Sequence, residues 1–277
     1  MSRQNSNIIE VADNFFAHVA KNYSEKSPLR YPGGKSRAVG FISKFIPDRE
    51  GFVLSPFLGG GSIELYLASK DKKILGFDIF KPLVEFWQCL LEDSLMLSRI
   101  VESFYPLSRE QFYLLQKTQS NIEDKFQRAA VYYVLNRSSF SGSTLSGGMS
   151  PSHPRFTKSS ILRIKQFYNP NLHVEYAPFE ISLRRHPDVF AYLDPPYLIK
   201  STLYGYKGNA HKDFDHFGLA TILKNRSKWI LSYNDCLEIR NLYRGFKILT
   251  PNWKYGMSSD KSSKEVLIFS KDYQFDN

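Results

Sequence analysis

The chain has 277 residues, of which 42% are hydrophobic, so it can bury a core and is neither disordered nor fibrous. Lys and Arg number 37 against 27 Asp and Glu, and the net charge of +10 favours a polyanionic partner over a membrane surface or solubility alone. The two cysteines and six histidines lack disulfide-framework and metal-ligand spacing, so no metal site is predicted. The polar segment 1–27 is predicted to be an N-terminal arm without a secretion signal, and we expect a cytoplasmic protein.

The rest of the chain alternates between β and α patterns. A strand at 51–54 leads into the glycine-rich turn PFLGGGS at 56–62, and a helix at 63–69 and a strand at 73–78 follow. Helical spacing then dominates, before a Ser/Gly-rich loop at 136–157. Further strands are predicted at 172–176, 190–193, 229–233, 246–249 and 266–270. This order predicts an α/β sheet domain built from residues 28–82 and 172–277, with a mainly helical insert at 83–171.

The sequence FAYLDPPY at 190–197 places an aspartate and two prolines directly after an apolar strand. Neither Pro195 nor Pro196 can donate a ladder hydrogen bond, so the strand must end there, with Asp194 at its carboxyl end. That edge of an open α/β sheet binds ligands. A simple turn with a solvated aspartate would give the same pattern, so other motifs have to decide.

Two further motifs fit a ligand at this edge. The turn PFLGGGS offers backbone N–H groups, and Asp78 ends the next strand at close to the ~20-residue spacing of an acid that binds ribose hydroxyls. The turn lacks the G-x-G-x-x-G spacing of pyrophosphate sites, which favours an adenosine cofactor without a pyrophosphate. RYPGGK at 30–35 is either a helix-capping turn or a lid that brings Tyr31 and Lys35 to a ligand carboxylate.

In this order, RYPGGK, PFLGGGS, FDI at 77–79 and DPPY at 194–197 resemble the Dam-type (alpha-group) family of adenine-N6 DNA methyltransferases. The resemblance covers residues 28–270. It implies a Rossmann-like S-adenosylmethionine-dependent methyltransferase sheet with an inserted, mainly helical target-recognition domain. It also implies double-stranded DNA as the partner, and a restriction–modification system with a cognate restriction endonuclease, or a solitary enzyme, as the setting.

The resemblance assigns roles residue by residue. The implied cofactor-binding residues are Tyr31, Lys35, Phe57, Gly59, Gly61, Ser62, Asp78, Ile79, Phe179 and Asp194. The implied catalytic residues are Asp194, Pro195, Pro196 and Tyr197. The Asp194 carboxylate and the Pro195 carbonyl can accept both hydrogens of an exocyclic amine, while Tyr197 offers a stacking face. In-line transfer of this kind needs no metal.

A base inside a duplex must be flipped out to reach such a pocket, at a cost of roughly a few kcal/mol. NRSSF at 136–140 is similar to the opening of the family's recognition hairpin. This similarity implies DNA contacts by Asn136, Arg137, Phe140, Arg155 and Lys158. Phe140 stands where an intercalating aromatic is expected, but a core residue closing a serine-rich turn would show the same pattern. The basic residues could also form a solvated face.

The sequence departs from the family pattern at three places. Ser55 stands where an acid often precedes Pro-Phe, and Glu64 is a candidate substitute as partner of the cofactor's ammonium. Pro178 replaces a frequent acid. The hairpin also lacks the arginine of GATC-specific members, since residues 143–145 are Ser-Thr-Leu. We therefore predict a target other than GATC.

Other functions would suit parts of the same pattern. Cytosine N4, an RNA adenine and a protein glutamine amide also present a planar nitrogen to a methyl donor. Asp194, in place of Ser or Asn, favours adenine, and the basic, aromatic insert favours DNA. A non-catalytic nucleic-acid binder with the same fold is the alternative from a different class. The intact residues Asp194, Tyr197, Asp78 and Lys35 disfavour it.

Overall fold

The computed structural model describes residues 23–145, 147–150, 155–198, 214–251 and 265–275. Its strands are β1 (Phe52–Ser55), β2 (Lys73–Asp78), β3 (Leu172–Tyr176), β4 (Phe190–Leu193), β5 (Trp229–Asn234), β6 (Lys247–Leu249) and β7 (Glu265–Phe269). They form one seven-stranded sheet in the order β3-β2-β1-β4-β5-β7-β6. Strands β1 to β5 are parallel, and β7 is antiparallel to both of its neighbours. The predicted strands are confirmed to within one residue at each end, and a mostly parallel sheet of this kind fits a methyltransferase.

Helices surround this sheet. They are α1 (Val39–Ile42), α2 (Ser62–Ser69), α3 (Lys81–Glu92), α4 (Ser94–Ser103), α5 (Arg109–Thr118), α6 (Lys125–Ser138), α7 (Lys158–Lys165), α8 (Phe179–Arg185), α9 (His216–Lys224) and α10 (Leu237–Leu242). Short polar side chains begin several of them: Ser108 and Thr157 form capping boxes, and Asp93 and Asp124 accept from backbone N–H groups. Helices α3 to α7 lie between β2 and β3, so the helical character of this region is confirmed.

The predicted start of the Ser/Gly-rich loop was wrong. Helix α6 continues through Ser138, so Asn136 and Arg137 lie in its last turn and not in the loop. Apolar neighbours such as Leu135 are buried, and the side chain of Asn136 finds hydrogen-bond partners inside the protein. These interactions override the low helix propensity of asparagine.

Both faces of the sheet are covered, which explains why β4 and β7 are buried at every position. One apolar cluster joins sheet residues such as Ile74 to insert residues such as Trp87 and Tyr133. The helices of the insert therefore share the core of the sheet. A smaller cluster of Phe112, Val131 and Leu135 lies beneath the loop that follows α6.

The topology creates a crevice at the carboxyl edge of the sheet. From β1 the chain runs outward through β2 to β3, whereas β4 and β5 extend in the opposite direction, so the strand order reverses between β1 and β4. Ligands of open α/β sheets bind at this switch point. The glycine-rich turn follows β1 and Asp194 follows β4, so the two predicted motifs meet there.

Two predictions concern the ends of the chain and membranes. The first 22 residues of the predicted N-terminal arm lie outside the described residues, which begin with Tyr23 stacked on Tyr168. Within the described ranges, no helix combines the length and apolar character needed to cross a membrane.

Candidate active site

Asp194 and Lys35 form a buried ion pair at the crevice. Asp194 Oδ1 lies 2.9 Å from Lys35 Nζ, and the lysine side chain is only 3% exposed. The ammonium also donates to the Gly33 carbonyl at 3.3 Å and to the Tyr197 hydroxyl at 2.7 Å. Burial raises the pKa of Asp194 above its usual range, while the charge of Lys35 acts in the opposite direction. RYPGGK is thus packed onto DPPY through Lys35, and its role as a lid over a ligand stays a prediction.

The DPPY segment is fixed by residues of two later strands. The Tyr197 hydroxyl donates to Glu265 Oε1 at 2.5 Å. Asn234 forms two hydrogen bonds with the backbone of Leu198, the residue after Tyr197. Its Oδ1 accepts from the Leu198 N–H and its Nδ2 donates to the Leu198 carbonyl, both at 3.0 Å. Pro195 is buried, and the Asp194 side chain keeps 22% of its surface exposed. The carboxylate therefore faces the crevice from a rigid segment.

Glu265 and Asn234 stand in none of the predicted motifs. Asn234 ends β5, and Glu265 pairs with it at the beginning of β7. Because β7 is antiparallel, its first residue lies at the carboxyl edge of the parallel strands. The direction of the last strand was the missing signal, and the pattern of one strand alone does not reveal it.

The glycine-rich turn has the shape that close approach requires. Gly59 and Gly61 have φ angles of +48° and +63°, which residues with a side chain rarely adopt. A Cβ atom at Gly59 would come within 2.9 Å of the Tyr31 ring. Trp87 Nε1 donates to the Gly59 carbonyl at 3.0 Å, and Ser62 begins α2 directly after the turn. Tyr31 therefore lies over a turn that offers only backbone at its surface.

Asp78 lies next to this turn at the end of β2. Its two carboxylate oxygens accept from the N–H groups of Gly59 at 3.0 Å and Phe80 at 2.9 Å. Burial raises the pKa of Asp78, and these backbone bonds oppose the shift. Each oxygen keeps a lone pair that a hydroxyl can use. Beside it, the Ile79 side chain is 61% exposed and gives an apolar surface.

An aromatic wall closes the same side of the crevice. Phe57, Phe179 and Phe214 have ring centroids 5.4 to 5.7 Å apart. Phe57 and Phe179 were predicted, whereas Phe214 was not, because it stands in no motif. A glycine turn, an acid at the next strand end and an aromatic wall together fit the backbone, ribose and base contacts of an adenosine cofactor.

A second buried acid lies behind the turn. Glu64 Oε1 accepts from the Ser55 hydroxyl at 2.7 Å, and the residue is only 3% exposed. Burial raises the pKa of Glu64 to about 7; the Ser55 hydrogen bond opposes this shift, and the nearby charge of Asp194 adds to it. Glu64 therefore changes charge close to neutral pH.

The residues after α6 form a hairpin, whose described residues are 139–145 and 147–149. Ser139 and Met149 form an antiparallel bridge, and the Phe140 N–H donates to the Gly148 carbonyl at 2.8 Å. Gln116 on α5 donates to the carbonyls of Thr144 and Gly147. The Phe140 side chain is 63% exposed, which excludes the core alternative.

Asn136 is not at the surface, so its predicted DNA contact needs correction. The residue is fully buried; its Oδ1 accepts from the Arg30 N–H and its Nδ2 donates to the Arg30 carbonyl, both at 2.8 Å. Nδ2 also donates to Thr144 Oγ1 at 3.0 Å. Asn136 thus joins RYPGGK to the hairpin as an internal clamp.

The predicted basic contacts differ in exposure. Arg137 is half-buried, and its guanidinium donates to the carbonyls of Arg155 and Pro28. Burial lowers the pKa of Arg137, and the nearby Arg163, Arg30 and Arg155 lower it further. The side chains of Arg155 and Lys158 are exposed. The positive charges of Arg137, Arg30, Arg155 and Arg163 are therefore close together beside the hairpin.

No cluster of three or more His, Cys, Asp or Glu side chains in the described part of the chain could hold a metal ion.

Comparison with known proteins agrees with this geometry. Residues 31–257 match the family model of D12 class N6 adenine-specific DNA methyltransferases. The chain is 23% identical over 250 residues to a DNA adenine methylase from Haemophilus influenzae, an alignment that covers 79% of this chain and 83% of that protein. It is also 27% identical over 123 residues to a DNA N-6-adenine-methyltransferase of Escherichia phage P1, covering 43% of this chain and 16% of the phage protein.

Proposed function

Because this chain belongs to the D12 class of N6 adenine-specific DNA methyltransferases, we propose that it uses S-adenosylmethionine to methylate a flipped-out adenine within a specific DNA site. The arrangement of Asp194 carries this proposal. It follows β4 at the switch point, is paired with Lys35, and lies on the same edge as the glycine-rich turn and Asp78.

The residues of DPPY activate and hold the amine. The lone pair of adenine N6 is delocalised into the ring, which makes it a poor nucleophile. The Asp194 carboxylate and the Pro195 carbonyl accept the two N6 hydrogens, which turns the lone pair out of the ring plane. The Tyr197 ring stacks against the base, and Pro196 stiffens the segment. As N6 acquires positive charge, the Asp194 carboxylate stabilises it and draws off the departing proton.

The cofactor would lie along the other half of the crevice. When bound, S-adenosylmethionine would supply the methyl group for N6, carried on a positively charged sulfur. Asp78 holds the ribose hydroxyls, and Ile79, Phe57 and Phe179 enclose the adenine. The turn from Gly59 to Ser62 and the residues Tyr31 and Lys35 hold the methionine end.

Glu64 would balance the charge of the cofactor's ammonium. Ser55 replaces the acid that often precedes Pro-Phe in the family, but it donates to Glu64, which lies in the first turn of α2. The carboxylate would thereby be supplied by the helix instead of by the strand end. Its raised pKa links cofactor binding to loss of a proton near neutral pH.

Target recognition would use the helical insert at 83–171. The exposed Phe140 would fill the space left by the flipped base, and Arg137, Arg155 and Lys158 would contact phosphates. Ser143, Thr144 and Leu145 take the place of the arginine found in GATC-specific members, which supports a non-GATC target. We propose a restriction–modification system with a cognate nuclease as its setting.

One assay tests reaction and base together. The purified protein is incubated with S-adenosylmethionine and unmethylated genomic DNA, and the digested nucleosides are identified by mass. N6-methyladenine is expected. N4-methylcytosine would contradict the base assignment, and efficient methylation of a duplex that contains GATC alone would contradict the predicted target.

A further inference from the structure

A second carboxylate shares the cation that pairs with Asp194. Glu265 Oε1 lies 3.6 Å from Lys35 Nζ and accepts from the Tyr197 hydroxyl at 2.5 Å. The side chain of Glu265 is 10% exposed and that of Lys35 is 3% exposed. One buried ammonium therefore serves two carboxylates, and the family motifs include only the first of them.

Building on the proposed function, we propose that Glu265 is a positioning residue for methyl transfer. It offsets the charge of Lys35, so that the group formed by Lys35, Asp194 and Glu265 presents a net negative charge to the adenine amine. It also holds the Tyr197 hydroxyl, which keeps the ring in place as a stacking surface.

The charge on the amine during transfer explains the need for a second carboxylate. N6 becomes positive as it gains the methyl group, so an uncompensated ammonium next to Asp194 would oppose the reaction. Lys35 with Asp194 alone is a neutral pair, whereas Lys35 with both carboxylates carries a net negative charge. In a buried site this difference in net charge has a large effect on the energy of the positive amine, because little water screens the charges.

The geometry also ties this charge to the fold. Glu265 pairs with Asn234 across β5 and β7, and Asn234 holds the backbone of Leu198. The same pair of strands therefore fixes the chain just after DPPY and places the compensating carboxylate. A merely structural Glu265 would stabilise this region without acting on the charge of Lys35.

The substitution Glu265→Gln separates these roles, because the amide keeps the size of the side chain and an oxygen that accepts from Tyr197. At saturating cofactor and DNA, we expect kcat for adenine methylation to fall at least ~10-fold, with DNA and cofactor affinities within ~2-fold of wild type. Glu85→Gln is the matched control: Glu85 has the same 10% side-chain exposure and pairs with Arg128, and its kcat should not change.

A double-mutant cycle tests whether Glu265 acts through Lys35. In a Lys35→Met background, Glu265→Gln should change kcat by less than ~2-fold, because the ammonium through which Glu265 is proposed to act has been removed. Equal losses in both backgrounds, or an unchanged kcat in the single variant, would overturn the inference.

Folding does not obscure the outcome. If melting curves show that Glu265→Gln is unfolded at the assay temperature, the comparison of Lys35→Met with the double variant remains decisive, since neither leaves a lysine beside a single carboxylate. A double variant more than ~10-fold slower than Lys35→Met would refute the coupling. A wild-type protein that methylates no adenine would instead refute the proposed function itself.

Discussion

The crevice and the hairpin are both fixed by buried polar side chains, but of different kinds. At the crevice, ionised groups meet: Lys35 lies between Asp194 and Glu265. At the hairpin, the buried polar group is a neutral amide: Asn136 forms hydrogen bonds with the backbone of Arg30 and with the Thr144 hydroxyl. Buried charge is costly unless it is paired, so it is kept where the reaction needs an electric field, whereas an amide suffices to hold a loop. Changes at the crevice should therefore alter the rate, and changes at the hairpin should alter stability and recognition.

The strongest test of this contrast is Asp194→Ala. It removes the acceptor of the amine and leaves Lys35 with Glu265, so we expect kcat to fall by at least ~1,000-fold while DNA affinity changes less than ~3-fold. Methyl transfer and DNA binding are measured on the same duplex. Asp235→Ala is the control, since Asp235 follows β5 and pairs with Arg240. Substantial turnover by the alanine variant would refute the role of Asp194.

Asn136→Ala tests the other half of the comparison. Loss of the amide leaves the Arg30 backbone and Thr144 without their partner, and we expect the free energy of unfolding to drop by about 2–3 kcal/mol. Urea unfolding measures this drop. Asn225→Ala removes only an exposed bond to the Thr221 carbonyl and should cost less than ~0.5 kcal/mol. If the two variants were equally stable, the clamp would have no energetic role.

Phe140→Ala should impair recognition without loss of stability. If the ring fills the gap left by the flipped base, kcat/KM on a duplex should fall by roughly 10- to 100-fold. The loss should shrink on a substrate with a mismatch opposite the target adenine, because that base is already unpaired. Phe217→Ala is the control, because Phe217 is an exposed phenylalanine on α9, outside the hairpin. An identical loss on both substrates would argue against base flipping by Phe140.

The smallest expected effect concerns pH. Glu64 has a pKa of about 7 in the folded protein, so its carboxylate is neutral below that pH and charged above it. A cofactor ammonium prefers the charged form, and cofactor affinity should rise by up to ~10-fold from pH 6 to pH 7.5. Calorimetry across this range measures the rise, which Glu64→Gln should abolish.

The stability of the apo-protein should show the opposite sign. Since burial raises the pKa of Glu64 above its unfolded value, the native state holds the proton more tightly. Its contribution to stability should therefore decline as pH rises from about 4.5 toward 7, and should stay constant in Glu64→Gln.

The sequence was sufficient to predict that these motifs lie at the ends of strands. Each motif adjoins an apolar run, and the end of that run fixes the position of the motif. Asp194, Asp78 and the glycine-rich turn were found in this way. Contacts that depend on side-chain direction could not be predicted. Asn136 and Phe140 stand four residues apart in one motif, yet the first points inward and the second outward.

Glu265 shows a second limit of prediction. It lies far along the chain from Lys35 and begins a strand whose direction no single pattern reveals. Only the antiparallel insertion of β7 between β5 and β6 brings it to the crevice.

That insertion also orders events during protein synthesis. Strand β6 is made before β7, yet it joins the sheet only through β7, so the outer edge of β5 stays open until residue 269 has left the ribosome. Open edges attract other strands, and a chain interrupted before this point would be prone to aggregate. Until β7 is made, Lys35 and Asp194 also lack Glu265. The strand that completes the sheet would therefore also bring the second carboxylate to the Lys35 ammonium.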